Sequence, residues 1–174
     1  MSTFAERLIG AASLNVHVYE EVEADSRATS QAMVTVVLAS IAQGIGIAGL
    51  TGAEGYGVLQ GIVGALMSWV IWGCLVYIIG TKVLPESQTS SNLGELLRTT
   101  GFSASPGLLR ILGVVPFFGT AILLAVNIWM LVAMIIAVRQ ALDYQSTGRA
   151  VGVCLISWFA AGLIVVMLTG GGAA

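Results

Sequence analysis

The sequence predicts an all-α, polytopic transmembrane helical bundle, and three observations carry that prediction. Long apolar runs alternate with short polar joints, 57% of the residues are hydrophobic, and only 9% are charged. Mean hydropathy is +0.94. A water-soluble domain carries about a quarter charged residues. A surface this apolar belongs in lipid, where a helix satisfies its own backbone polar groups. The formal net charge of −2 excludes a nucleic-acid partner, because phosphate binding needs clustered Lys and Arg.

Residues 1–31 are the polar exception and read as a cytoplasmic segment of amphipathic helices. Phe4, Leu8 and Ala11 fall at i, i+4 and i+7, a stripe that can lie on the membrane surface. Asn15 is placed to cap a second helix through Val16, Tyr19 and Val22. Glu20, Glu21, Glu23 and Asp25 read as a solvated face. Leu8 to Ala12 is too short for the apolar region of a cleaved signal peptide, so the first span is expected to direct membrane insertion.

The bundle is expected over residues 32–169, with spans at about 32–50, 57–80, 105–116, 117–138 and 150–168, and a disordered tail at 170–174. Each long run suffices to cross a hydrocarbon core of roughly 30 Å. Residues 81–105 are polar; Asn92 and Glu95 have the spacing of a capping box ahead of Leu93, Leu96 and Leu97. The third span is short, about a dozen residues between Ser105 and Pro116, or roughly 18 Å as an α-helix. Charge placement favours counting it as a crossing. With five spans, Arg7, Arg27, Lys82, Arg98, Arg139 and Arg149 all fall on the cytoplasmic side, with Arg110 in snorkelling reach of it. The N-terminus is then inside and the C-terminus outside. Asp143 lies four residues after Arg139 and reads as its helix-end partner.

Helices in lipid associate through close packing and interhelical hydrogen bonds. The second span carries Gly57, Gly61 and Ala65 at i+4 spacing, with Gln60, Gly64 and Ser68 in the neighbouring row. The first span offers Ala42 with Gly46 and Gly44 with Ala48 as a matching small face. These two spans are expected to form a tight hairpin. Gln43, Gln60 and Asn127 are expected to be buried polar groups; Gln43 and Asn127, at similar depth, are expected to hydrogen-bond to each other, because an unpaired amide in lipid is costly.

No catalytic or metal-binding motif is legible, and no cofactor is implied. His17 is the single histidine; Cys74 and Cys154 sit within apolar runs without a partner at metal or redox spacing. No Asp, Glu, Lys, Arg or His lies within the four long spans, which speaks against an ion-coupled carrier.

Between residues 93 and 158 a series of short strings carries a resemblance. Leu-Gly-Glu-Leu-Leu-Arg-Thr-Thr-Gly-Phe-Ser at 93–103 precedes Ser-Pro-Gly-Leu-Leu at 105–109 and Val-Pro-Phe-Phe-Gly at 115–119. Asn-Ile-Trp-Met-Leu at 127–131 and Ser-Thr-Gly-Arg-Ala-Val at 146–151 follow. With Val-Tyr-Glu-Glu-Val at 18–22, this resembles the bacterial branch of the YIP (Ypt-interacting-protein-type) family. The resemblance implies five spans, a cytoplasmic N-terminus and a bacterial inner-membrane location, and it transfers no catalytic residue. GTPase binding, associated with eukaryotic relatives, does not carry over, because their Asp-Leu-Tyr-Gly-Pro motif is absent. The function expected is a non-enzymatic membrane scaffold or accessory subunit whose partners are lipid and other membrane proteins or itself. The alternative is a small channel or carrier for an uncharged solute, lined by Gln43, Gln60 and Asn127.

Overall fold

The structure, a computed structural model, describes residues 2–51 and 58–170. Gly57 and the tail beyond Gly170 lie outside the described residues. Helices α1 (Phe4–Ala12) and α2 (Val16–Ala24) form an N-terminal hairpin. Helix α3 (Ala28–Thr51) follows, then α4 (Val58–Ile78), which ends in one π-helical turn, Ile79–Val83. Helix α5 (Leu93–Phe102) runs into a 3-10 helix, Ser105–Val114, and α6 (Gly119–Ala141) and α7 (Thr147–Gly170) complete the bundle. There is no strand among the described residues. Four of these helices are long and apolar enough to cross a membrane: α3, α4 with its π turn, α6 and α7.

The capping residues set several of the boundaries. Asn92 and Glu95 form a reciprocal capping box on α5, and the Asn15 side chain accepts from the His17 amide at the start of α2. A second capping box, Thr3 with Glu6, opens α1. The π turn presents the Gly80 and Leu84 carbonyls to the Tyr144 hydroxyl, 2.8 and 2.7 Å away, which ties the end of α4 to the α6–α7 connection. In that connection Arg139 donates to the Tyr144 and Gln145 carbonyls and makes no ion pair with Asp143. Asp143 itself sits at φ 53°, in the turn beyond the last residue of α6.

The short third segment is the structural surprise. It runs parallel to α3 and against it throughout. Gly101 meets Ala32, Gly107 meets Ala39, Gly113 meets Gly46, and Val114 meets Gly49. Over that stretch α3 rises about 26 Å at 1.5 Å per residue. The stretch from Gly101 to Val114 has four fewer steps and keeps pace only because a 3-10 helix rises about 2 Å per residue. As an α-helix it would fall roughly 6 Å short. Pro106 near its start has no N–H to donate, and glycines at 107 and 113 remove the side chains that would hold the two backbones apart.

These contacts correct the packing expected from small-residue spacing. Ala42 and Gly46 are buried, but Gly46 meets the 3-10 helix, so closely that a Cβ at this position would fall 2.0 Å from the Arg110 carbonyl oxygen. A Cβ at Gly44, Gly61 or Gly64 would meet nothing within 4 Å. The Gly61/Gly64 face of α4 is turned away from the rest of the bundle, and Ala65 beside it is half-buried. The physical reason is that a thinner 3-10 helix fits closer to α3 than a full α-helix can.

The N-terminal hairpin is also placed differently. Phe4 and Leu8 pack with Ala11, Tyr19, Val22, Ala32, Phe102 and Ala137, so the stripe meets protein in place of the membrane surface. Arg7, only 2% exposed, donates to Glu21 at 2.8 Å, Asp25 at 2.8 Å and Gln31 at 2.9 Å. Two members of the acidic cluster are therefore docked against a buried cation. Arg98 reaches from α5 to cap the far end of α2, donating to the Val22 and Glu23 carbonyls.

Candidate functional site

The polar residues expected in the spans converge on one place, but not in the expected way. Gln43 on α3 and Asn127 on α6 lie at equal depth, each about 12 Å along its helix from the end carrying Thr51 and Gly119. They do not bond to each other. The Arg110 guanidinium stands between them, donating from Nη1 to Gln43 Oε1 at 2.8 Å and from Nη2 to Asn127 Oδ1. Two amide oxygens thus hold the guanidinium from both sides, on three different elements.

Exposure distinguishes this cluster from an internal polar network. Gln43 and Asn127 are exposed and Arg110 is half-buried, so the three form a patch on the lateral face of the bundle. Gln60 is likewise exposed, on α4. All three amides are therefore at the surface, where the sequence pattern predicts burial. Residues three apart share a face of a 3-10 helix, so Arg110 stands in the same row as Gly107 and Gly113, and its guanidinium emerges between α3 and α6. Nor does Arg110 snorkel. Its amide partners lie about 21 to 23 Å from the ends of α3 and α6 that carry Ala28 and Ala141, too far for the side chain to reach the polar boundary there.

Among the described residues the charge of Arg110 has no acidic counterpart. No Asp or Glu among the described residues forms an ion pair with it. Two of its five N–H donors are used, on neutral acceptors. A cation in an apolar belt with a preorganised orientation and unused donors is a functional-site candidate in its own right. The sequence contains a signal for it: Arg110 is the one ionisable residue of its segment, and matching its depth to Gln43 and Asn127 requires the 3-10 rise.

The tip of the N-terminal hairpin reaches α6 at a similar depth. Trp129, two residues beyond Asn127 on α6, donates to the Ala12 carbonyl at 2.8 Å. Ile9, near the tip, is 68% exposed. At the other end of the hairpin sit its titratable groups. Hydrogen bonds from Ser2 and Arg7 hold the Glu21 carboxyl down at about 2. Burial, aided by the carboxylates of Asp143, Glu95 and Glu20 and opposed by Arg98, pushes Glu23 up to about 7.

The two shifts act at opposite ends of the pH scale. Docked Glu23 binds its proton more tightly than the free chain does, so docking weakens as pH rises from about 4.5 through 7. Docked Glu21 releases its proton more readily, so docking weakens as pH falls from about 4.5 towards 2. Hydrogen exchange of the α2 amides, corrected for intrinsic rate, is expected to show strongest protection near pH 4.5. Glu23→Gln is expected to abolish the loss on the alkaline side; an unchanged alkaline limb would exclude Glu23 as its source.

A comparison with known families decides the membership. The Yip1 domain model matches residues 16–169. The chain belongs to the Yip1 family. No curated protein matches it, and no solved structure matches it. The matched stretch takes in α2 and everything from α3 to the last described turns of α7, so the polar patch lies wholly within the Yip1 domain. Family and helices together place the chain in a membrane.

Proposed function

We propose that this Yip1-family chain is a non-enzymatic scaffold or accessory subunit of a bacterial cytoplasmic membrane, packing against other membrane proteins. The observation that carries the reading is the lateral patch of Gln43, Arg110 and Asn127, a feature hydrocarbon chains leave unsatisfied. The outward Gly61/Gly64 face of α4 adds a small-residue surface to which another helix backbone can come close. Five crossings, N-terminus in and C-terminus out, are supported by the parallel run of the 3-10 helix along α3. That topology also gathers every other Arg and the single Lys on one side.

The test is purification in mild detergent from native membranes at native expression, followed by a native gel and mass spectrometry. A membrane protein co-migrating in fixed stoichiometry is the expected result. A lone protomer or a homo-oligomer would overturn the accessory-subunit reading.

A further inference from the structure

We infer that the Arg110 patch is the docking site for a membrane-spanning helix of a different protein, one carrying an Asp or Glu within its apolar stretch. This deepens the scaffold reading and rests on it. The juxtaposition on the bundle's lateral face of two amide acceptors and a guanidinium with no ion pair among the described residues is what identifies the partner's chemistry.

Arg110 presents a fixed positive charge and three unused N–H donors at the lateral face. In lipid, where water does not compete, the group that meets this demand is an anion with several lone pairs, and a carboxylate accepts two parallel N–H bonds from one guanidinium. The described spanning helices of a second copy do not provide it. The helices over residues 28–51, 58–83, 105–114, 119–141 and 147–170 contain no Asp or Glu. Two copies meeting at this face would set Arg110 against Arg110. A lipid phosphate is a poorer fit in depth. Both amides pin the guanidinium about 12 Å below the nearer helix ends, where a headgroup would have to leave the interface to reach it. A carboxylate on a neighbouring helix arrives at that depth without bending the bilayer. Gln43 and Asn127 then act as the jig: they hold the fork in one orientation, so little side-chain freedom is left to lose on docking.

The probe is a 22-residue Leu/Ala transmembrane peptide with one Asp eight residues from its end, or with Leu there. It is co-reconstituted with the full-length protein in phosphatidylcholine vesicles at pH 8, and association is read by energy transfer between labelled peptide and labelled protein. The Asp peptide is expected to associate roughly tenfold more tightly than the Leu peptide. Arg110→Gln is expected to erase that preference, and Arg110→Lys, which keeps the charge and loses the fork, to retain part of it. Equal association of both peptides with the wild-type protein would overturn the inference, as would an Asp preference surviving in Arg110→Gln. Loss of the preference when phosphatidylglycerol is added would assign the site to a lipid headgroup and also overturn it. If any of these results came while a native partner complex persisted, the scaffold reading would stand and this site alone would fail.

Discussion

Gly46→Ala is expected to destabilise the bundle by about 2–4 kcal/mol, although alanine is the better helix former. Two effects compete. Alanine gains up to about 1 kcal/mol of intrinsic helix propensity over glycine. Against that, the new Cβ would fall 2.0 Å from the Arg110 carbonyl oxygen and 3.0 Å from its carbon. The obstacle is backbone, so no rotamer change relieves it; the 3-10 helix must move away from α3. Overpacking of this kind costs about 1–3 kcal/mol, and here it propagates. Gly113 packs against the same glycine, with Gly46 Cα and O each 3.0 Å from its would-be Cβ, and Gly119 approaches the Gly113 carbonyl to 2.1 Å in the same sense. Displacement at one glycine therefore opens the whole seam and pulls Arg110 from its amides. Gly61→Ala is the control, since its Cβ meets nothing within 4 Å. Unfolding in mixed micelles, followed by far-ultraviolet circular dichroism, is expected to put Gly61→Ala near wild type and Gly46→Ala well below it. Equal stability of the two would mean that the seam is not held by close backbone contact.

That pairing also shows what a membrane sequence does and does not disclose. Apolar runs and capping residues are local signals, and the long helices, the Asn92/Glu95 box and the Asn15 cap follow from them. The Thr3/Glu6 box is equally local, but the apolar stripe that begins at Phe4 is the stronger pattern and masks it. Which face of a helix turns inward is another matter. In water the buried face is the apolar one; in lipid both faces are apolar, and a stripe such as Gly57, Gly61 and Ala65 looks the same whether it packs or faces out. The depth match of Gln43 with Asn127 is legible from rise per residue. The guanidinium between them is not, because counting the third segment as an α-helix puts Arg110 at the wrong height. Arg7 is hidden for a different reason: a single arginine in a polar N-terminal stretch carries no mark of burial, and its partners lie 14 to 24 residues away.

Arg7→Met is expected to release the N-terminal hairpin while leaving the spans folded. The arginine is 2% exposed and ties three points together: Glu21 and Asp25 on and after α2, and Gln31 in the first turn of α3. Methionine keeps the packing volume and removes every donor. Breaking a fully buried ion pair costs about 3–5 kcal/mol. Glu21 is partly open to water and recovers some hydration, so about 2–3 kcal/mol is the expected loss at neutral pH. What then holds the hairpin to the spans is its apolar cluster with Ala32, Phe102 and Ala137, the Arg98 bonds to the Val22 and Glu23 carbonyls, the Gln140 bond to Glu20 and the Trp129 bond to Ala12. Protease cleavage within residues 2–27 is therefore expected to accelerate by one to two powers of ten, with α3 to α7 unaffected. The pH dependence supplies the discriminating readout. Ser2 and Arg7 together hold Glu21 at about 2; without Arg7 its carboxyl moves back towards 4.5, and the loss of docking between pH 4.5 and 2 shrinks accordingly. A variant that loosened only through packing would keep that acid limb at full size. Persistence of the limb together with slow cleavage would mean that the hairpin is held by its apolar face, with the buried arginine contributing orientation alone.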